Sequence, residues 1–494
     1  MVQPGLPFAD LLPSSWIQWP SRTAAKHIFF GFLLGISLSL TTSSLAMLHQ
    51  SRKKEKETKK LPLRPIELRS HEIVNGVTGL IGNTPLMRIN SLSDALGVEI
   101  LGKAEFLNPG GSVKDRVALR MIEDAEKLGF LRPHTGSRIF EGTVGSTGIS
   151  IATIARARGY ESTIIMPDDV AEEKVKALLA LGAEVERVRP ASIVDKKQFV
   201  NLAKQRASHF GDTDKFDAPW GAHSYRGLES PSHTMLVSTA ANHVDFESNS
   251  WETDEEFLSK PRGFFADQFE NRSNFDTHFS GTGPEIWRQT NGEIDAFVSG
   301  AGTGGTLAGT GRYLKTVNED VLVAVSDPEG SGLFNKVKYG VMFDRREAEG
   351  TKRRHQVDTV VEGIGINRLT HNFELALPIV DDAFRITDPE AVAMSRFLVK
   401  HDGLFLGSSS ACNLMACVKL VKKMGWEGTG KHVVTILCDS GTRHYSKFWS
   451  DDYLRKAEIP VDLSARRRST EKTKWPHRLI SSSRRRTGGD KGMI

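Results

Sequence analysis

Between Glu99 and Val325 the chain alternates two hydrophobic rhythms. Short runs rich in apolar and β-branched residues read as strands at Glu99–Ala104, Arg138–Glu141, Ser162–Met166, Glu184–Val188, Asp295–Ser299 and Val321–Val325. Apolar positions three and four residues apart read as helices at Val117–Ile122, Ile149–Arg158, Ala171–Leu181 and Leu307–Lys315. A regular strand-helix alternation of this kind predicts an α/β fold of parallel βαβ units with helices on both faces of the sheets.

The rhythm stops at residues 212–262. That segment includes 245–256, with six acids and no base, and predicts a mobile surface insertion. Near the start, Ile28–Leu48 carries no charged side chain, and as a helix its 21 residues would extend about 31 Å, enough to cross a bilayer core. The expected organisation is a short N-terminal segment (1–27), a transmembrane anchor (28–48), a basic linker (49–70), a catalytic region of two interleaved domains (71–460) and a basic disordered tail (461–494). Pro62 and Pro65 keep the linker from continuing the helix. A cleaved signal peptide and an organelle presequence are the alternatives to the anchor. The basic stretch Arg52–Lys60 predicts that the C-terminal side of the span stays in the cytosol.

Charge changes the picture at one point. The net charge of +5 is concentrated in the linker and the tail, which leaves the central region net acidic. A nucleic-acid partner is therefore not expected. Three cysteines, Cys412, Cys417 and Cys438, are too few and too clustered for a disulfide framework and suit a reducing compartment. No zinc-type spacing of Cys and His occurs, so no metal site is expected.

The chemistry concentrates in Glu105-Phe-Leu-Asn-Pro-Gly-Gly-Ser-Val-Lys-Asp-Arg116. Lys114 follows a glycine pair and opens a helix-like run, a place where a lysine is held rather than solvated. A lysine so held suits either a phosphate contact or a Schiff base with a carbonyl cofactor. The segment does not fit the phosphate-loop pattern. A second glycine-rich turn, Gly300-Ala-Gly-Thr-Gly-Gly-Thr306, lies between a strand and a helix, where backbone N–H groups can cradle a phosphate and Thr303 and Thr306 can add hydroxyls. Read alone, Gly300, Gly302 and Gly305 with Asp327 after the next strand fit a nicotinamide-dinucleotide fingerprint equally well.

These segments resemble the cysteine synthase and cystathionine β-synthase family of pyridoxal-phosphate enzymes, of fold type II, in its membrane-anchored fungal cysteine synthase-like branch. The resemblance runs from about residue 75 to 455 and includes, in the family's order, Ile81-Gly-Asn-Thr-Pro-Leu86, the Lys114 motif, Gly145–Gly148, Gly283-Pro-Glu-Ile-Trp287, Gly302–Thr306 and Gly363-Ile-Gly365. It implies two domains, each with a mostly parallel twisted sheet flanked by helices, and pyridoxal 5'-phosphate between them. It makes Lys114 the catalytic, cofactor-carrying lysine and resolves the glycine turn in favour of the cofactor's phosphate, held by Gly302, Thr303, Gly304, Gly305 and Thr306. Ser409 is placed at the cofactor's ring nitrogen, with Ser410 expected as a helix cap and Ala411 standing where the family usually has glycine.

For the substrate, the resemblance implies a site of Thr143, Val144, Ser146, Thr147 and Gln268, with Thr143, Thr147 and Gln268 as the carboxylate contacts and Ser146 also facing the cofactor. The family's usual Thr-Ser-Gly-Asn-Thr-Gly becomes Thr143-Val-Gly-Ser-Thr-Gly148 here, which removes one hydroxyl and shortens one amide to a hydroxyl. The implied reaction is β-replacement on O-acetyl-L-serine by sulfide to give L-cysteine, in a homodimer. A cystathionine β-synthase-like or other β-substituted amino acid lyase is one alternative, and a membrane-anchored binding or scaffold protein is another. The flanks of the span resemble those of mitochondrial outer-membrane signal anchors, with the endoplasmic reticulum and the mitochondrial matrix as alternatives.

Overall fold

The computed structural model describes residues 73–191, 193–210, 260–344 and 359–461, with scattered helical positions between 23 and 34. The linker, the tail and nearly all of the acidic insertion lie outside the described residues, as does most of the expected anchor. Among the described residues no helix is long and apolar enough to cross a membrane.

Among the described residues ten strands form two sheets. The larger has the order β1 (Leu86–Arg88), β2 (Glu99–Ala104), β10 (His432–Leu437), β7 (Ala296–Gly300), β8 (Leu322–Pro328), β9 (Asp382–Ile386). Only the edge strand β1 is antiparallel. The smaller sheet, β5 (Glu184–Val188), β4 (Glu161–Pro167), β3 (Arg138–Gly142), β6 (Gly263–Phe265), is parallel throughout. Its four strands interrupt the larger sheet between β2 and β7, so the chain leaves one sheet, completes the other and returns. Every strand expected from the sequence forms, displaced by no more than a few residues at its ends.

The helices that matter for the site are α1 (Lys114–Lys127), α2 (Ser146–Ala157), α3 (Glu172–Ala180), α4 (Phe199–Ser208), α5 (Gly305–Val317), α6 (Asp388–Asp402) and α7 (Ser408–Met424). α1 buries Val117, Ala118, Met121, Ile122 and Ala125, a stripe at helical spacing, against α2 and the smaller sheet. Asp115 in its first turn and Lys127 in its last complement the helix dipole. α6 opens with a reciprocal capping box between Thr387 and Glu390 and ends at Gly403 in the left-handed region. α7 is buried along nearly its whole length in the core of the larger sheet.

One local expectation is corrected. α7 begins at Ser408 behind Gly407, which makes no side-chain cap, so Ser410 lies inside the first turn. Its hydroxyl instead accepts a hydrogen bond from the Cys438 N–H at 2.8 Å and ties α7 to the end of β10. A residue in the first turn can look outward because its own helix does not need its side chain.

Candidate active site

In a parallel sheet the loops after the strands gather at the carboxyl edge, and here both sheets direct those loops into one cavity of about 510 Å³. Thr143–Thr147 follows β3, Gly302–Thr306 follows β7, and Cys438 and Asp439 follow β10. Lys114, Thr143, Val144, Ser146, Thr147, Gln268, Gly302, Thr303, Gly304, Thr306 and Ser409 all line this cavity. Gly305 does not. A Cβ there would meet Asn274 Oδ1 at 2.1 Å, so its absent side chain lets α5 pack against Asn274.

The loop before Lys114 is built by its own polar residues. Asn108 accepts the Gly82 N–H at 2.8 Å and donates to Glu105, while Asp115 accepts the Gly110 N–H at 2.5 Å and the Ser150 hydroxyl. Gly111 has φ of +76°, and a Cβ would press on the Arg443 guanidinium at 2.9 Å. Lys114 is thereby fixed at the head of α1, its Nζ 3.4 Å from Thr303 Oγ1. Burial lowers its pKa to about 8, with Cys438 and Glu141 acting weakly in the opposite sense. A lysine so placed has a neutral amine available near neutral pH.

The glycine turn has the form of an anion cradle. Gly304 has φ of +90°, and a Cβ on it would meet Phe373 Cα at 2.6 Å; a Cβ on Gly302 would meet the Gly363 carbonyl oxygen at 2.7 Å. The turn leads into the thirteen-residue α5, whose N-terminal N–H groups and dipole favour a phosphate. Thr303 Oγ1 accepts from Asn274 Nδ2 at 2.8 Å, Thr370 Oγ1 donates to the Thr303 carbonyl at 2.7 Å, and Thr306 Oγ1 lies 3.1 Å from His278 Nε2. Burial, reinforced by Arg116, holds the His278 pKa well below the ordinary value, so this imidazole is neutral. Asp327, which a dinucleotide site would need at the ligand, is fully buried and accepts the Phe334 N–H at 2.7 Å. The lysine, cradle and Ser409 on one cavity therefore fit pyridoxal phosphate rather than a dinucleotide.

On the opposite wall, Gly145 precedes α2 with φ of +145°, and the first turn of that helix faces the cavity. Thr147 Oγ1 donates to Gln268 Oε1 at 2.6 Å, and both side chains are buried. Ser146 Oγ lies 3.4 Å from Arg443 Nη1. Val144 packs with Phe140, Phe199 and Val200, an apolar patch between the smaller sheet and α4.

Sequence reasoning did not reach the charged residues around this cavity. Lys174 on α3 pairs with Glu362, and His444 Nδ1 lies 3.4 Å from the same carboxylate while its Nε2 is 3.0 Å from Asp439 Oδ2. These residues join the smaller sheet to the larger across the mouth of the cavity. Asn274, His278 and Cys438 were likewise not singled out. Only the position of Cys438 immediately after a strand run could have suggested it.

A family model described as pyridoxal-phosphate dependent enzyme matches residues 77–229 and 231–439. The chain belongs to that family. It is 52% identical over 388 residues to a cysteine synthase 2 of Schizosaccharomyces pombe, covering 78% of this chain and 87% of the relative. A Saccharomyces cerevisiae protein named provisionally as a mitochondrial cysteine synthase is 45% identical over 390 residues, covering 79% and 86% of the two chains. A rat cystathionine beta-synthase is 34% identical over 405 residues, covering 81% of this chain and 60% of the relative.

Proposed function

We propose that this chain is a cysteine synthase, forming L-cysteine from O-acetyl-L-serine and sulfide. The observation that carries this reading is the convergence of Lys114, the Gly302–Thr306 cradle and Ser409 on one cavity, in a chain about half identical to cysteine synthases over most of its length. Bound pyridoxal phosphate supplies the electron sink for breaking the Cα–H and Cβ–O bonds. Lys114 moves the α-proton, its amine freed by burial. The backbone and hydroxyls of Gly302–Thr306 would hold the cofactor's phosphate. Ser409 would meet the ring nitrogen of the bound cofactor with a neutral hydroxyl, which would not enforce a pyridinium and so would favour loss of a β-substituent over transamination.

We assign the α-carboxylate of the substrate to Thr143, Thr147 and Gln268 with the head of α2, and the β-substituent to the side of Val144, where Phe199 and Val200 exclude water. The two interleaved sheets stand as two domains of the catalytic region 71–460, and we read the enzyme as a homodimer. Purified protein should be yellow and should make cysteine from O-acetylserine and sulfide, and Lys114→Ala should lose both the colour and the activity. A colourless protein that binds a nicotinamide dinucleotide would falsify the assignment.

For its place in the cell, the uncharged span Ile28–Leu48 and the basic residues after it support a tether in the mitochondrial outer membrane with the catalytic region in the cytosol. Full-length protein should then stay with membranes in alkaline carbonate and be digested by protease added to intact mitochondria. Recovery from the soluble matrix in a shortened form would exclude the tether.

A further inference from the structure

Gln198 lines the cavity with one half of its amide committed and the other half not. It caps α4: its Oε1 accepts the N–H groups of Val200 at 2.7 Å and Asn201 at 3.3 Å. Two N–H donors on one atom fix that atom as the oxygen, so the atom left over is the amide nitrogen, a donor only. The residue is 3% exposed, yet among the described residues Nε2 has no acceptor. Nor is that nitrogen sealed in the packed interior, and the surface the residue lines is the cavity.

The position is held from two sides. Asn201 Nδ2 donates to the carbonyls of Ile193 at 2.6 Å and Asp195 at 2.8 Å, and the Gln198 N–H reaches the Asp195 carbonyl at 3.0 Å, which staples the turn that carries Gln198. The head of α4 then sits on the end of β3: a Cβ on Gly142 would meet Val200 Cα at 2.5 Å and the Phe199 carbonyl oxygen at 2.8 Å. Gly142 directly precedes Thr143 and Val144, so the cap is brought to the loop assigned to the substrate. The wall there is apolar, made by Val144, Phe199 and Val200. A donor in such a wall loses its water when the cavity fills, and leaving it unpaired is costly, so the occupant has to present an acceptor.

That acceptor has to be neutral. Lys114 is committed to the cofactor, and each other cation on the lining has a carboxylate beside it: Lys174 and Lys447 have Glu362, Arg368 has Glu270 and His444 has Asp439. A phosphate ester would bring two negative charges to cations already engaged, whereas an acyl ester brings one carbonyl oxygen and an apolar remainder. We propose that Gln198 selects the acyl group of the substrate, its Nε2 donating to the carbonyl oxygen of the O-acetyl substituent. When the Cβ–O bond breaks, its electron pair leaves with the acetate and spreads over both acetate oxygens, so the same N–H stabilises the departing anion and no proton is transferred. This rests on the reading of the chain as a cysteine synthase with its carboxylate site at Thr143, Thr147 and Gln268.

The test compares two substrates on the full-length holoenzyme with sulfide: O-acetyl-L-serine, and β-chloro-L-alanine, which has the same α-carboxylate and loses chloride. Gln198→Met keeps the length and removes the donor, while Gln198→Glu keeps an oxygen at the cap and turns the donor into an acceptor. Gln198→Met should lower kcat/KM for O-acetyl-L-serine about tenfold and that for β-chloro-L-alanine less than about threefold. Gln198→Glu should likewise lose more on O-acetyl-L-serine than on β-chloro-L-alanine, and wild type should prefer O-acetyl-L-serine to O-phospho-L-serine by at least about tenfold. Equal losses on the acetyl and chloro substrates would make Gln198 a helix cap and nothing more, and would overturn the proposal. An unchanged kcat/KM for O-acetyl-L-serine in either variant, or a phosphate ester used as well as the acetyl ester, overturns it too. Should Gln198→Met not fold, Gln198→Glu, whose cap is kept, decides alone. Wild type that uses β-chloro-L-alanine but not O-acetyl-L-serine sinks the cysteine synthase reading itself, whereas active wild type with no split in the variants sinks the assignment of Gln198 alone.

Discussion

At residue 144 a valine stands where the family it resembles usually has serine, and its surroundings give the physical reason. Its side chain completes an apolar wall with Phe140, Phe199 and Val200, so a hydroxyl placed there would gain a substrate contact and lose packing. Ser146 differs, because its hydroxyl lies 3.4 Å from Arg443 Nη1 on the far side of the cleft. Restoring both donors with Val144→Ser and Ser146→Asn should lower the KM for O-acetylserine roughly fivefold, equivalent to about 1 kcal/mol for one recovered hydrogen bond. Steady-state kinetics on the double variant decides it. An unchanged or higher KM would mean the loop is fitted to a different β-substituted amino acid, the second reading that the altered loop supports.

Among the elements, the decisive contacts are those made by loops after the strands rather than by the strands. α3 meets the larger sheet through Lys174 and Glu362, and Glu173 accepts the Ser446 N–H at 3.1 Å. Burial alone would lower the His444 pKa, but Asp439 and then Glu362 raise it to about 8 from the ordinary 6.5. A group whose pKa is raised on folding stabilises the folded state fully below its unfolded pKa and loses that effect as pH rises through the folded value. The contribution of His444 is therefore complete below about pH 6.5 and gone above about pH 8, on the order of 2 kcal/mol. His444→Gln should show a smaller fall in urea-unfolding stability than wild type across that window. Parallel slopes in the two proteins would show that folding leaves the pKa of this imidazole unshifted.

Across the whole molecule, a buried ion network ties the cofactor-lysine helix to the rest of the fold. Arg116, two residues after Lys114, bonds Glu105 at 2.8 Å and Glu285 at 2.7 Å, and Lys103 lies 2.7 Å from Glu285. Burial works against the Glu285 charge, yet Arg116 and Lys103 hold its carboxyl well below the usual range. Desolvation of the Lys103 ammonium lowers its pKa even with Glu285 beside it. Removing one member leaves an uncompensated charge in the interior, so Glu285→Ala should cost about 3 kcal/mol in denaturant unfolding. A loss below about 1 kcal/mol would mean water or a rotamer change relieves Arg116.

The alternation of elements, the lysine loop and the glycine cradle were legible in the sequence because each is a local signal. Apolar period follows from the geometry of strand and helix, and a glycine-rich turn between a strand and a helix has few other uses. The side chains expected to face cofactor and substrate share the cavity, Gly305 excepted, since each was carried by a short contiguous motif. What the tertiary structure alone decided is which distant charges meet. Arg116 and Glu285 are 169 residues apart, and Lys174 and Glu362 are 188 apart. No local pattern marks such a pair, because a buried charge is admitted only where its partner arrives, and that depends on how the two sheets are threaded.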